Sequence, residues 1–232
     1  MDLARILNQG VGSWLHFEYS CNRSGLFNEK YLSYPIGQLL SARYGNRVLA
    51  EFLHPILAPM MTGPGRRPQV DFAYCDPYPT VKVAVETKWI GRRKVSIEEI
   101  VWDLIRLELI SANSNAECFF MIGGRRKSLE SLFTSEKFSG PNSAPDQRPI
   151  LDWTNNEMKS FWLTPRYSYR IPLLRNVFKG TPDIEYPQRI ITRRTEPFPK
   201  DCKMQGFQVY SWKIAAAEKR QTFRAKQARH YR

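Results

Sequence analysis

From residue 28 onward the chain reads as stretches of apolar periodicity broken by Pro and Gly. In residues 28–44, Tyr31, Leu32, Ile36, Leu39 and Leu40 recur at helical spacing. This predicts a helix packed on one face, kinked at Pro35 and stopped at Gly45. Residues 48–53 read as a short strand, 55–68 as a loop rich in Pro and Gly, and 69–74 as a second strand. After the turn residues Asp76, Pro77 and Pro79, residues 80–90 alternate with period two and are rich in β-branched side chains, the plainest strand signal in the chain. Ser96 caps an expected helix over 97–111, with Glu98 and Glu99 in its first turn where the helix dipole favours acids. Its apolar side uses Ile97, Ile100, Val101, Leu104 and Leu107. A strand over 117–122, closed by Gly123 and Gly124, and a helix over 129–138 follow.

The polar stretch 139–148, with Pro141 and Pro145, reads as a linker and a soft boundary between a core of residues 1–138 and a smaller C-terminal region, 149–232, expected to bind substrate or dimerise and to be free of the core or packed on it. Past it the pattern predicts a helix over 155–163, strands over 189–194 and 207–212, and a basic, helix-prone stretch from 214 to the end. No internal repeat is evident. Alternating helices and strands place the chain in the α/β class.

Composition narrows the function. A chain of 232 residues that is 42% hydrophobic can fill a core, which excludes a disordered protein. The formal charge of +13 points to a polyanionic partner, nucleic acid before an anionic membrane, because counterion release favours cationic surfaces on phosphate backbones. Cys21, Cys75, Cys118 and Cys202 form no paired framework and fit reduced thiols. No run is apolar and long enough for a membrane span or a leader, so the expectation is a soluble, cytoplasmic protein with no membrane partner.

The candidate chemistry lies on the clearest strand. Along residues 81–89, Val81, Val83 and Val85 face one way, while Glu86 and Lys88 share the other face with Ala84. On the preceding strand Asp71 takes the face opposite Val70, Phe72 and Tyr74. A hairpin through residues 76–79 would bring Asp71 and Glu86 within metal-bridging distance. Paired carboxylates repel unless a proton or a cation intervenes, and magnesium is the natural cation, since the chain holds no His or Cys cluster for zinc. A neighbouring Lys88 would orient or help deprotonate the attacking water.

Pro68-Gln69-Val70-Asp71 followed by Val85-Glu86-Thr87-Lys88 resembles the PD-(D/E)xK nuclease superfamily, over roughly residues 28–122. The proline is displaced to Pro68, and the D…ExK order is kept. The resemblance implies a restriction-endonuclease-like fold, a central mixed sheet flanked by helices. It also implies a magnesium ion, replaceable by manganese, on Asp71, Glu86 and the Thr87 carbonyl, with Lys88 near the nucleophilic water. The family often adds an acid from the helix before the core, which here is Glu29, with Glu51 as second choice. A polar face on the helix after the lysine strand falls at Asp103 and Arg106. A second ExK triplet, Glu157-Met158-Lys159, sits in an expected helix with no acidic strand before it.

Ordinary roles compete for these residues. Glu29 follows the cap Asn28 and suits the helix dipole, and Asp103 with Arg106 reads as a surface pair three apart. The clusters Arg92-Arg93-Lys94 and Arg125-Arg126-Lys127 follow strands of the core and are candidates to grip phosphates on either side of a scissile bond; Arg193-Arg194 reads as solvated charge. Trp89 and Trp102 read as core or rim, and His16, His54 and His230 are isolated, so none is taken as a base. The expected function is a metal-dependent DNA endonuclease. A homodimer is expected from the need for two centres in double-strand cleavage. The alternative is a nucleic-acid-binding protein that keeps the fold without catalysis.

Overall fold

The computed structural model describes residues 2–61, 65, 67–91, 95–143, 148–164, 166–181 and 183–231. It begins with a helix absent from the expected elements, α1 (Leu3–Ser20), whose stripe Leu3, Leu7, Val11 and Leu15 is buried. Helix α2 (Glu29–Tyr44) starts at Asn28, whose side chain accepts the Tyr31 N–H at 2.9 Å, and tolerates Pro35 inside. Strand β1 (Val48–Leu53) leads to a short helix, α3 (Leu57–Met60), within the expected loop. Strands β2 (Gln69–Cys75) and β3 (Val81–Ile90) form the expected hairpin. Helix α4 (Ile97–Ser114), capped by Ser96, runs further than expected and ends at Asn115 in the left-handed region.

Strand β4 (Glu117–Arg125) does not stop at its glycines. It runs parallel to β3, and a Cβ on Gly124 would lie 2.6 Å from the Ile90 carbonyl oxygen. Glycine here lets two backbones approach and is no terminator. Two short helices, α5 (Arg126–Phe133) and α6 (Glu136–Ser139), replace the single helix expected over 129–138.

The expected helix over 155–163 is instead an edge strand, β5 (Met158–Trp162). The decoy triplet therefore sits at a sheet edge, where Lys159 pairs with its exposed neighbour Glu157 at 2.7 Å. Next come α7 (Ile171–Phe178), β6 (Glu185–Pro187), β7 (Arg189–Phe198), β8 (Phe207–Ala215) and β9 (Thr222–Arg224). The tail is not the expected helix: β8 reaches Ala215, β9 pairs with β6, and a single turn of 3-10 helix covers Arg229–Tyr231.

The central sheet has seven strands in the order β1-β2-β3-β4-β8-β7-β5. Only β3 and β4 are parallel, and α4 makes their crossover. Helices α1 and α2 cover one face through Phe72, Val83, Val85, Phe119 and Val209. On the other face α4 packs on Ala73, Ala84, Phe120, Ile122 and Trp212. The architecture is thus α/β with a mixed central sheet flanked by helices. Because β8 pairs with β4 from Cys118↔Ile214 to Arg125↔Phe207, the C-terminal region packs on the core as part of the same sheet; residues 144–147 of the stretch before it lie outside the described ones. Among the described residues no helix is long and apolar enough to cross a membrane.

Buried Arg170 holds this junction. It donates to the carbonyls of Lys137 at 2.5 Å, Phe138 at 2.7 Å and Arg148 at 2.6 Å, tying both sides of the stretch to α7. Arg170→Met leaves these carbonyls without their donor and should cost roughly 3–5 kcal/mol, lowering Tm by about 10 °C. A thermal melt within 2 °C or so of wild type would show that the staple is dispensable.

Candidate functional site

The β2–β3 ladder runs from Cys75↔Val81 to Phe72↔Val85 and stops there. Past that point Asp71 takes over the role of a strand acceptor: its Oδ2 accepts the Thr87 backbone N–H at 2.7 Å and the Thr87 hydroxyl at 2.8 Å. On the neighbouring strand Glu51, which falls across from Asp71 between the pairs Ala50↔Phe72 and Phe52↔Val70, has φ +50°. The three strands therefore lose regular pairing at one level. A cleft of about 650 Å³ opens there, lined among others by Glu29, Glu51, Asp71, Glu86, Lys88 and Arg106.

Period-two alternation sets the faces. Val83 and Val85 point into the α1/α2 layer, whereas Ala84 packs under α4 and Glu86 and Lys88 meet α4 side chains. Asp103 of α4 links both cations: its Oδ2 lies 2.9 Å from Lys88 Nζ and its Oδ1 accepts from Arg106 Nη2 at 2.6 Å. The same Arg106 Nη2 stands 2.7 Å from Glu86 Oε1. That second contact is electrostatic only, because Glu86 Oε1 is buried and accepts no hydrogen bond of normal geometry. Arg106 Nη1 donates to the Gln69 carbonyl at 3.0 Å. Glu29, in the first turn of α2, reaches Lys88 Nζ at 3.7 Å. Lys88 Nζ also donates to the Thr87 carbonyl at 3.3 Å.

Burial dominates the electrostatics. It pushes the Glu86 carboxyl well above the ordinary range, with Asp103 adding to the push and Arg106 opposing it. Asp71 and Glu29 are raised for the same first reason, against the Thr87 hydrogen bonds in one case and Lys88 in the other. For Lys88 burial works against the charge, but Asp103, Glu29 and Glu86 outweigh it and hold the amine above its usual range. A lysine kept charged donates hydrogen bonds and does not take protons. A charged amine suits the orienting half of the role expected of Lys88.

Four carboxylates, Glu29, Asp71, Glu86 and Asp103, thus face two cations, Lys88 and Arg106. Among the described residues no three carboxylate, imidazole or thiolate groups converge as a ready metal cage. Asp71 and Glu86 share the cleft and are coupled electrostatically, and Glu86 Oε1 is a buried oxygen without a hydrogen bond. That donor set suits a hard divalent cation that keeps several waters.

The cluster Arg92-Arg93-Lys94 lies outside the described residues. In the second cluster, Arg125 is exposed, lies over the Phe207 ring at 4.9 Å and touches the Gln205 carbonyl at 3.4 Å. Lys127 is exposed, whereas Arg126 is committed to Glu130 at 2.8 Å and to the Cys202 carbonyl. The end of β4 lies beside the end of β3, with Ile90 opposite Gly124, so these bases stand beyond Lys88 at the same end of the sheet. Trp89 stacks on Phe207, and Trp102 lines the cleft.

Asp103 and Arg106 are not the surface pair expected. A signal was present: Asp103 lies three residues after Ile100 and four before Leu107, inside the apolar stripe of α4. His54 was not singled out either. It is buried, its Nδ1 accepts the N–H groups of Ile56 and Leu57 at 3.2 and 3.1 Å, and its Nε2 lies 3.0 Å from the Arg106 carbonyl. It therefore pins the loop after β1 to the turn of α4 that carries Arg106.

Burial depresses the His54 imidazole from its ordinary 6.5 to about 4. The unfolded chain takes up this proton first, so the contribution is complete above pH 6.5 and is lost as pH falls toward 4. The loss should reach roughly 3 kcal/mol, read as a denaturant midpoint that falls across that window and flattens in His54→Phe. Equal slopes for the two proteins would remove the assignment. No family model, no curated protein and no solved structure matches this chain.

Proposed function

We propose that this chain is a divalent-metal-dependent nuclease of restriction-endonuclease-like type that hydrolyses phosphodiester bonds in DNA. The observation that carries the reading is the meeting of Asp71, Glu86 and Lys88 in one cleft where β2 parts from β3. The acid ahead of the core, Glu29, and the charged face of the helix after the lysine strand, Asp103 and Arg106, join the same cluster. This follows the D…ExK order that resembles the PD-(D/E)xK superfamily.

Asp71, Glu86 and the Thr87 carbonyl would hold magnesium, or manganese in its place, which when bound polarises the scissile phosphate and acidifies a water. Asp71 is aimed by its two bonds from Thr87, and Asp103 keeps Lys88 charged and directed into the cleft. Lys88 then donates to the attacking water and offsets charge on the phosphorane. Arg125 and Lys127 supply phosphate contacts beyond it. A single centre cuts one strand, so double-strand cleavage calls for a homodimer.

The rival reading is a nucleic-acid binder that keeps the fold without catalysis. The 2.7 Å contact of Arg106 with Glu86 favours it, since the guanidinium offsets the carboxylate in place of a metal. Incubation with plasmid, linear duplex and single strands, with and without magnesium, separates the two. Lys88→Ala should keep DNA affinity within a few-fold and lose roughly 100-fold or more in cleavage rate. Magnesium should raise Tm of the wild type and leave Glu86→Gln unmoved. In EDTA, Glu86→Gln should be at least as stable as wild type, because burial disfavours the charge it removes. No magnesium-dependent cleavage and no magnesium shift in Tm would leave the binding-only protein.

A further inference from the structure

Charge is distributed unevenly along the chain. Residues 149–232 hold 17 Lys and Arg against 7 Asp and Glu, so ten of the thirteen net positive charges lie after position 148. The candidate active site, by contrast, draws all its named residues from before that position. Part of this excess is carried on the later strands, at Lys159, Arg189, Arg193, Arg194, Lys213 and Arg224.

Register shows where part of it goes. In the β5–β7 ladder Met158 opposes Arg193, Ser160 opposes Ile191 and Trp162 opposes Arg189. The alternate pair Phe161 and Ile190 points into the core under α4, so Met158, Ser160 and Trp162 share the other face with Arg189, Ile191 and Arg193. Helix α1 lies over β8 and β7 on that side, and the edge remains open: Met158 is 68% exposed, Arg193 is exposed and Trp162 is half-buried. The next β8 residue across from Arg193 is Lys213, whose ammonium is committed to Glu117 at 2.5 Å.

Trp162 closes one end of this face. The guanidinium of Arg166 lies 4.7 Å from its ring centroid and that of Arg189 lies 5.5 Å away. The indole also forms a wall shared by two clefts, of about 330 and 250 Å³, the larger of which holds Arg148, Asn155 and Tyr167 as well. The two guanidinium groups lie over the indole, so a base gains the ring face by displacing one of them, and the displaced cation is left beside the phosphates of the same strand. A duplex keeps its base faces buried in its own stack, so it can use the cations and not the ring.

We propose that the face of β5 and β7 that runs from Trp162, with Arg166 and Arg189, toward Arg193 at the far end of the ladder is a binding site for a single-stranded nucleic acid, separate from the cleavage centre. An unpaired base stacks on Trp162 while the backbone follows the arginines. The site binds with or without metal and with or without hydrolysis elsewhere in the molecule.

The test uses the full chain carrying Lys88→Ala, in EDTA, and reads anisotropy of a labelled oligodeoxythymidylate and of a duplex of equal length over a series of salt concentrations. Trp162→Leu should weaken the single strand by roughly ten-fold or more and leave the duplex unchanged, whereas Trp162→Phe keeps most of the affinity. Arg166→Gln with Arg189→Gln should flatten the salt slope for the single strand by about one. An oligouridylate arm distinguishes RNA from DNA. Unchanged single-strand affinity in Trp162→Leu, or equal losses on strand and duplex, overturns the proposal. Because no arm measures cleavage, its failure is distinct from failure of the nuclease reading.

Discussion

The structure turns on one buried carboxylate, Asp103, which holds two cations at once. Lys88 at 2.9 Å and Arg106 at 2.6 Å both depend on it, and Arg106 in turn lies against Glu86. Charges taken out of water are tolerated only in company, and each member here is placed by the next. A change at Asp103 would leave an ammonium and a guanidinium under the sheet with less compensation, so the helix face and the strand face are one electrostatic unit.

That unit exists because the sheet opens. If β2 and β3 stayed paired beyond Phe72↔Val85, the Thr87 N–H would be spent on main chain and Asp71 would have no ladder position to fill. The splay converts a strand residue into a fixed acid, and it provides the cleft in which Glu29, from α2, can reach Lys88. His54 braces the arrangement from outside by joining the loop after β1 to the Arg106 carbonyl. The basic second half of the chain completes the same sheet through β8, so its cations are carried on a rigid extension of the core.

Much of the site was legible because a strand has an exact side-chain period of two. Given the run from Val81 to Trp89, the common face of Glu86 and Lys88 followed, and the turn residues at 76–79 supplied the hairpin that sets Asp71 beside them. The stripe of α1, repeating every four residues, was equally plain, although no helix was expected there. Residues 155–163 mislead for a physical reason: Met158, Phe161 and Trp162 have helical spacing, yet Phe161 gains burial by pairing opposite Ile190 at a sheet edge. Short segments take their conformation from the partner available.

The sequence by itself determined the α/β class, the central hairpin and the sharing of one face by an acid and an amine, since local periodicity and turn chemistry act over a few residues. Tertiary structure decided that the stretch 139–148 joins strands of one sheet, that Asp103 is buried under it with Arg106 half-buried beside it, and that Lys88 meets Asp103 at 2.9 Å. Those outcomes depend on which surfaces meet across long separations in the chain. Burial and Coulomb coupling are properties of that meeting, and neither is written in the spacing of residues along one strand.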